Sequence, residues 1–107
     1  DGVLKTYPGR RAIVVSHYLL ETGTSTAFGN QGQAVYDALK GNPNLFLMLC
    51  GHNHGEARRT DLYNGNTVHT LLADYQAYPN GGGGYLRLLP YAFLKPMIRR
   101  AGHRGGR

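Results

Sequence analysis

Apolar residues along this chain fall into short runs separated by polar and glycine-rich stretches. Residues 12–16 (AIVVS) and 45–50 (LFLMLC) are mainly apolar runs near turn residues, a pattern typical of buried strands. Residues 31–40 (QGQAVYDALK) instead space their apolar positions as one face of a helix, with Tyr36 and Asp37 expected on its solvent side. The members of that predicted apolar face are Ala34, Val35, Ala38 and Leu39. The pattern therefore predicts a strand, a helix packed on the sheet and a second strand.

Two further β-capable segments, residues 56–63 and 67–74, flank the sequence Asn64-Gly65-Asn66. Asn-Gly between such segments is a strong short-range signal for a β-hairpin. The predicted fold class is therefore α/β, a small mixed β-sheet with one packed helix and a hairpin. His69 lies within the second hairpin strand, where we expect a hydrogen-bonded sheet residue rather than a metal ligand.

The stretch at residues 80–84 (NGGGG) predicts a long loop, because serial glycines order the backbone at a high entropic cost. A phosphate-binding loop is not expected there, since no Gly-Lys-Ser/Thr sequence follows. A closing strand is predicted at residues 85–89, and residues 1–10 are predicted to be a polar lead-in with a turn at Tyr7-Pro8-Gly9.

Both buried strands run directly into histidine. His17 follows the first strand, and Gly51-His52-Asn53-His54 follows the second. Residues two apart in an extended loop face the same side, and functional residues of open α/β sheets gather beyond strand ends. Imidazole is the commonest side-chain ligand for transition metals, so His17, His52 and His54 form a candidate metal site. Alternatively, His52 and His54 are ordinary exposed loop residues.

Two polar residues near these histidines are candidates for hydrogen-bond support of the ligands. Asn53 lies between the loop histidines, and Asp74 follows a strand run, where its carboxylate could orient a ligand histidine. For Asp74, capping the turn that follows is an equally available role.

The sequences VVSHYLL, CGHNHG and LLADYQAYPNGGGGYLRLL together resemble the C-terminal half of the calcineurin-like metallophosphoesterases, the last of them as found in bacterial members. The resemblance covers residues 11–89 and includes that family's lone histidine and its Gly-His-x-His motif. It implies half of a β-sandwich fold and a hydrolase that binds divalent metal, namely zinc, manganese or iron. It also implies that His17 and His52 ligate one metal and that His54 ligates the other.

Three earlier motifs of that family, Asp-x-His, Gly-Asp and Asn-His-Asp/Glu, have no counterpart in these 107 residues. Two functions therefore stay open. The first is a metal-dependent, alkaline-phosphatase-like hydrolase of phosphomonoesters or phosphodiesters, with His17, His52 and His54 as catalytic metal ligands. The second is an inactive remnant of the family that serves as a binding or assembly module. Self-association is a further expectation, because half a sheet leaves an apolar face and unpaired edges.

The excess of positive over negative charge is confined to one end of the chain. Twelve lysines and arginines oppose six acidic residues, yet residues 1–86 hold six of each, so the net charge of +6 lies beyond Leu86. Residues 1–89 are therefore expected to form a partial domain, and residues 90–107 a flexible basic tail. Nucleic-acid binding is not expected of so small a charge excess. We expect a soluble protein without a signal peptide or membrane span, with Cys50 as a buried, inert thiol.

Overall fold

The computed structural model describes residues 1–22 and 26–89 of the chain. Within these residues the element order is as follows: α1 (Gly2–Thr6), β1 (Ala12–Val15), α2 (Asn30–Leu39), β2 (Leu45–Cys50), β3 (Gly55–Tyr63), β4 (Asn66–Asp74) and α3 (Pro79–Gly82). The expected class, a small mixed α/β fold, is confirmed. The predicted basic tail at residues 90–107 lies outside the described residues.

The four strands form one mixed sheet in the order β1-β2-β4-β3. β1, β2 and β4 run parallel, while β3 and β4 form the antiparallel pair. In the register, Val15 pairs with Leu49, which pairs in turn with Leu71. The carboxyl ends of β1 and β2 therefore lie side by side, and the segments that leave these strands begin at one edge of the sheet.

α2 connects β1 to β2 and supplies one wall of the core. Tyr36 of α2 is buried in a cluster with Leu19, Leu45, Met48 and Val68. The helix was predicted almost to the residue, but the assignment of its faces was partly wrong. Its inner face is Gly32, Val35, Tyr36 and Leu39, whereas Ala34 and Ala38 are exposed. The large Tyr36 ring buries more apolar area than either alanine could, which explains why the helix turns that side inward.

The hairpin prediction is confirmed. Every residue of β3 pairs with β4, from Gly55–Asp74 at one end to Tyr63–Asn66 at the other. The turn residues Asn64 and Gly65 have φ of 51° and 78°. Positive φ at both central residues is the property of a type I′ turn, which matches the twist of antiparallel strands and favours Asn-Gly.

Two predictions about the ends of the domain were wrong. Residues 2–6 of the supposed lead-in are helical, and this helix is held by long-range contacts: the amide of Asn44 donates to the carbonyl oxygens of Leu4, Tyr7 and Arg10 at 3.1–3.2 Å. Residues 85–89 form no strand. That segment is attached by a side chain, because Arg87 donates to the carbonyl oxygen of Leu72 at 2.7 Å and no backbone ladder forms.

β1 presents an exposed apolar surface on the side of the sheet away from the core. Val14 packs against the core cluster, whereas its neighbours Ile13 and Val15 are 52% and 75% exposed. Side chains alternate between the two faces of a strand, so Ile13 and Val15 share the outer face. Among the helices of the described residues, none has the length and apolar character needed to cross a membrane.

Candidate functional site

The structure brings His17 and His52 into direct contact. The pairing of β1 and β2 continues past the strand ends, because the amide of Gly51 donates to the carbonyl oxygen of His17 at 3.0 Å. This bond holds the two exit loops side by side. The Nε2 atom of His17 lies 2.8 Å from the Nδ1 atom of His52, and the rings meet edge to face with centroids 4.7 Å apart. Such a hydrogen bond requires one ring nitrogen to carry a hydrogen and the other to lack one.

His52 has an unusual backbone. Its φ is 68°, and the amide of Asn53 donates to the carbonyl oxygen of Gly51 at 2.8 Å across it. A bond between residues two apart around a positive φ has the features of a γ-turn of the strained type. A non-glycine residue in the left-handed region costs on the order of 1–3 kcal/mol and persists where its surroundings impose it. Backbone strain is therefore concentrated at the residue that contacts His17.

Asn53 fixes the far side of this turn. Its side-chain amide donates to the carbonyl oxygen of Leu20 at 2.8 Å and to Oε1 of Glu21 at 3.3 Å. The other carboxylate oxygen of Glu21 accepts a hydrogen bond from the Tyr18 hydroxyl, whose ring centroid lies 5.0 Å from that of His52. The bond to Glu21, with desolvation and the negative charge of Glu21, raises the pKa of Tyr18. Asn53 thus supports the loop as a whole, through Glu21 and backbone.

His54 lies on the same loop but has a different neighbour. Its Nε2 atom is 3.0 Å from Nε2 of Gln76. An amide nitrogen is only a donor, so His54 Nε2 is the acceptor and the ring hydrogen is assigned to Nδ1. Asp74 accepts a hydrogen bond from the backbone amide of Gln76 at 3.2 Å. Of the two roles considered for Asp74, turn capping is the one seen in the structure.

The donor set is incomplete for a metal ion. Across residues 1–22 and 26–89 there is no group of three or more histidine, cysteine, aspartate or glutamate side chains able to hold one. His17 and His52 are together, while His54 joins no such group with them. Two ligand nitrogens of one tetrahedral zinc ion, each about 2.0–2.1 Å from it, lie about 3.3 Å apart. The His17 and His52 nitrogens, hydrogen-bonded at 2.8 Å, would therefore have to separate slightly to share one ion.

The other histidines lie away from this pair or outside the described residues. Nδ1 of His69 is 2.9 Å from Oγ1 of Thr60, within the hairpin. Its hydrogen bond within the sheet is the arrangement that the sequence predicted. Desolvation and the nearby cation of Arg58 lower the pKa of His69. His103 lies outside the described residues.

Sequence reasoning missed three residues at this edge of the sheet: Tyr18, Glu21 and Gln76. None belongs to a motif or a periodic pattern. Tyr18 follows His17 directly, which was an available cue, but the contacts of Glu21 and Gln76 depend on loop paths that no local pattern specifies.

Comparison with known proteins gives one informative match. No known protein family matches the chain, and no solved structure matches it. The chain is 39% identical over 104 residues to a Bacillus subtilis (strain 168) protein described as the uncharacterized protein YvnB. The match covers 90% of this chain and 8% of that relative, so the chain spans a small part of its length.

Proposed function

We propose that this chain carries part of the active site of a metal-dependent phosphatase that hydrolyses phosphomonoesters and phosphodiesters, as its resemblance to calcineurin-like metallophosphoesterases implies. The observation that carries the proposal is the 2.8 Å contact between His17 and His52, with His54 directed to Gln76 instead. The same division of the three histidines, two on one metal and one on another, is implied by the resemblance.

The residues present would hold zinc, manganese or iron through His17 and His52. A divalent metal in such a site supplies a water of lowered pKa and stabilises charge on the phosphoryl oxygens. The chain's own contribution is ligand orientation: the strained turn at His52 and the contacts of Asn53 and Glu21 fix one imidazole before anything binds. The carboxylate motifs that the resemblance implies have no counterpart in these 107 residues, and in this proposal other carboxylates, from this chain or from a second copy of it, take their place.

A second candidate function is the inactive remnant acting as a binding or assembly module. The observation that favours it is the lack, within the described part of the chain, of any group of three metal-donating side chains. In this alternative the histidine contact is a structural bond between two loops.

Chelator-stripped protein, shown to be folded by circular dichroism, should be assayed for hydrolysis of a chromogenic phosphomonoester and a chromogenic phosphodiester before and after manganese or zinc is added. We expect turnover to return with metal. His52→Ala and His54→Ala should each reduce turnover to background, because each removes a ligand, whereas the control His103→Ala should leave turnover unchanged.

Folded protein without turnover under any metal would overturn the proposal and favour the remnant. Damage by His103→Ala equal to that by the loop variants would show that the site had been assigned to the wrong histidines.

A further inference from the structure

Three tyrosines form a partly exposed cluster at the edge of the sheet that carries His54. Tyr75, Tyr78 and Tyr85 contact one another pairwise, with ring centroids 5.4, 5.6 and 4.8 Å apart. None of them belongs to either buried core cluster, and Tyr85 is 66% exposed. The cluster therefore offers an aromatic surface to solvent and contributes little to the core.

The backbone between these tyrosines is shaped to return Tyr85 to the other two. All residues from Asn80 to Gly84 have positive φ, between 60° and 122°. A Cβ at Gly83 would lie 3.3 Å from Cδ1 of Tyr85, so glycine permits the ring to close on the cluster. Ordering a run of glycines in one conformation costs conformational entropy.

The Tyr75 ring is held by a hydrogen bond, whereas the Tyr85 ring is free to contact a ligand. The hydroxyl of Tyr75 donates to Oε1 of Glu56 at 3.0 Å, and Arg87 lies 3.8 Å from the same carboxylate oxygen. Tyr75 is thus fixed by a charged partner on β3. No such anchor is seen for Tyr85 within the described residues, and its ring is the most exposed of the three.

The cluster is joined to the candidate site through the main chain and one side chain. Gln76, the residue after Tyr75, contacts His54 through its amide at 3.0 Å. An aromatic surface one residue from a group that contacts a candidate ligand is placed to hold the organic part of a substrate whose phosphoryl group lies at the histidines. Planar heterocycles, such as nucleobases, stack face to face on aromatic side chains.

We propose that Tyr75, Tyr78 and Tyr85 form a binding surface for the planar aromatic ring of the substrate, which makes a nucleotide the substrate class of this site. The inference rests on the proposed phosphatase function for its chemistry, but ring binding itself needs no metal. The tyrosines act in binding and positioning.

The test is a titration of chelator-treated protein, labelled with ¹³C in its tyrosine rings, with adenosine 5′-monophosphate and separately with ribose 5-phosphate, followed by NMR. We expect the adenine nucleotide to shift the Tyr85 ring resonances and ribose 5-phosphate to leave them unchanged. Tyr85→Ala should weaken nucleotide binding at least about tenfold, the scale of losing one stacked ring. Tyr85→Phe, which keeps the ring, should bind as the unaltered protein does.

Tyr7 is 56% exposed and follows α1, near the amino-terminal end of β2, whereas the candidate site lies beyond the carboxyl-terminal end of β2. Tyr7→Ala is therefore the matched control. It should not change nucleotide binding. Equal binding of the two ligands, or unchanged nucleotide binding by folded Tyr85→Ala protein, would overturn the inference.

Hydrolysis assays with metal separate this inference from the proposed function. Nucleotide binding without turnover of any ester would contradict the phosphatase proposal and still support the ring-binding surface. Equally efficient turnover of adenosine 5′-monophosphate and ribose 5-phosphate, unaffected by Tyr85→Ala, would support the phosphatase and contradict the ring-binding surface.

Discussion

His52 is held from two sides by contacts that its own sequence neighbours do not provide. On one side it meets His17, and on the other its ring faces Tyr18 while the following Asn53 is tied to Glu21. A ligand fixed in this way loses little further freedom on binding, which favours affinity and selectivity for one geometry. At the scale of residues, the site is thus defined by hydrogen bonds from the loop after β1.

His69 gives a residue-scale prediction about pH. Its pKa lies below the ordinary value of 6.5 because burial disfavours the charged ring and Arg58 repels it. The unfolded chain therefore takes up this proton at a higher pH than the folded chain, so stability is full above pH 6.5 and falls as the pH drops from there towards the lowered pKa.

The measurement is thermal unfolding at pH about 7.5 and about 5.5, on either side of the ordinary histidine pKa. The unaltered protein should lose more stability on acidification than His69→Gln, which has no titrating group but can still bond Thr60. Equal losses in the two proteins would show that His69 plays no part in the acid response.

At the scale of elements, α2 depends on a close approach at its first turn. A Cβ at Gly32 would lie 2.0 Å from the carbonyl oxygen of Leu19, a backbone atom that cannot move alone. This approach lets Tyr36, one turn later, reach the core beside Leu45 and Met48. The packing of α2 therefore depends on the absence of a side chain at Gly32 as well as on the apolar residues of the helix.

Gly32→Ala should destabilise the protein by about 2 kcal/mol or more, because the helix must shift away from Leu19 and loosen the core. Gly41→Ala is the control, since its Cβ would meet nothing within 4 Å. We expect Gly41→Ala to change the free energy of unfolding by less than about 0.5 kcal/mol. Denaturant unfolding of both variants is the measurement, and equal stability would mean that α2 does not pack as closely as described.

The elements that the sequence predicted well are those with local signals. Apolar runs located β1 and β2, and Asn64-Gly65 located the hairpin turn, because both signals act within a few residues. α1 was missed because its anchor, Asn44, is distant in sequence, and the false strand at 85–89 had apolar residues but no partner strand. That His17 and His52 lie at one edge of the sheet was expected from their places after two strands. Their direct contact and the contacts of Glu21 could not be predicted, because they depend on the strand order and on loop geometry.

At the scale of the whole molecule, the two faces of the sheet differ in what covers them. The inner face carries the core with α2, whereas Ile13 and Val15 on the outer face are largely exposed. An exposed apolar surface of this kind is a common feature of surfaces that contact other protein. Self-association, an expectation from the sequence, stays a prediction.

A matched pair of substitutions tests this difference between the faces. Val15→Thr should change the free energy of unfolding by less than about 0.5 kcal/mol, because Val15 is 75% exposed. Val68→Thr should lower it by about 1–3 kcal/mol, since it introduces a hydroxyl at a position only 1% exposed. Denaturant unfolding at low protein concentration is the measurement, and a comparable loss in Val15→Thr would mean that the outer face is covered.

The strand order has a consequence for how the chain acquires its structure. The hairpin strands β3 and β4 are joined by a short turn and can pair within about 1–10 μs, whereas β2 pairs only with strands distant in sequence, which is slow. β2 is also synthesised before β4, so on the ribosome its run LFLMLC has one partner at most until residue 74 has emerged. The interval in which this apolar strand waits for its second neighbour is the period when nascent chains are most exposed to aggregation.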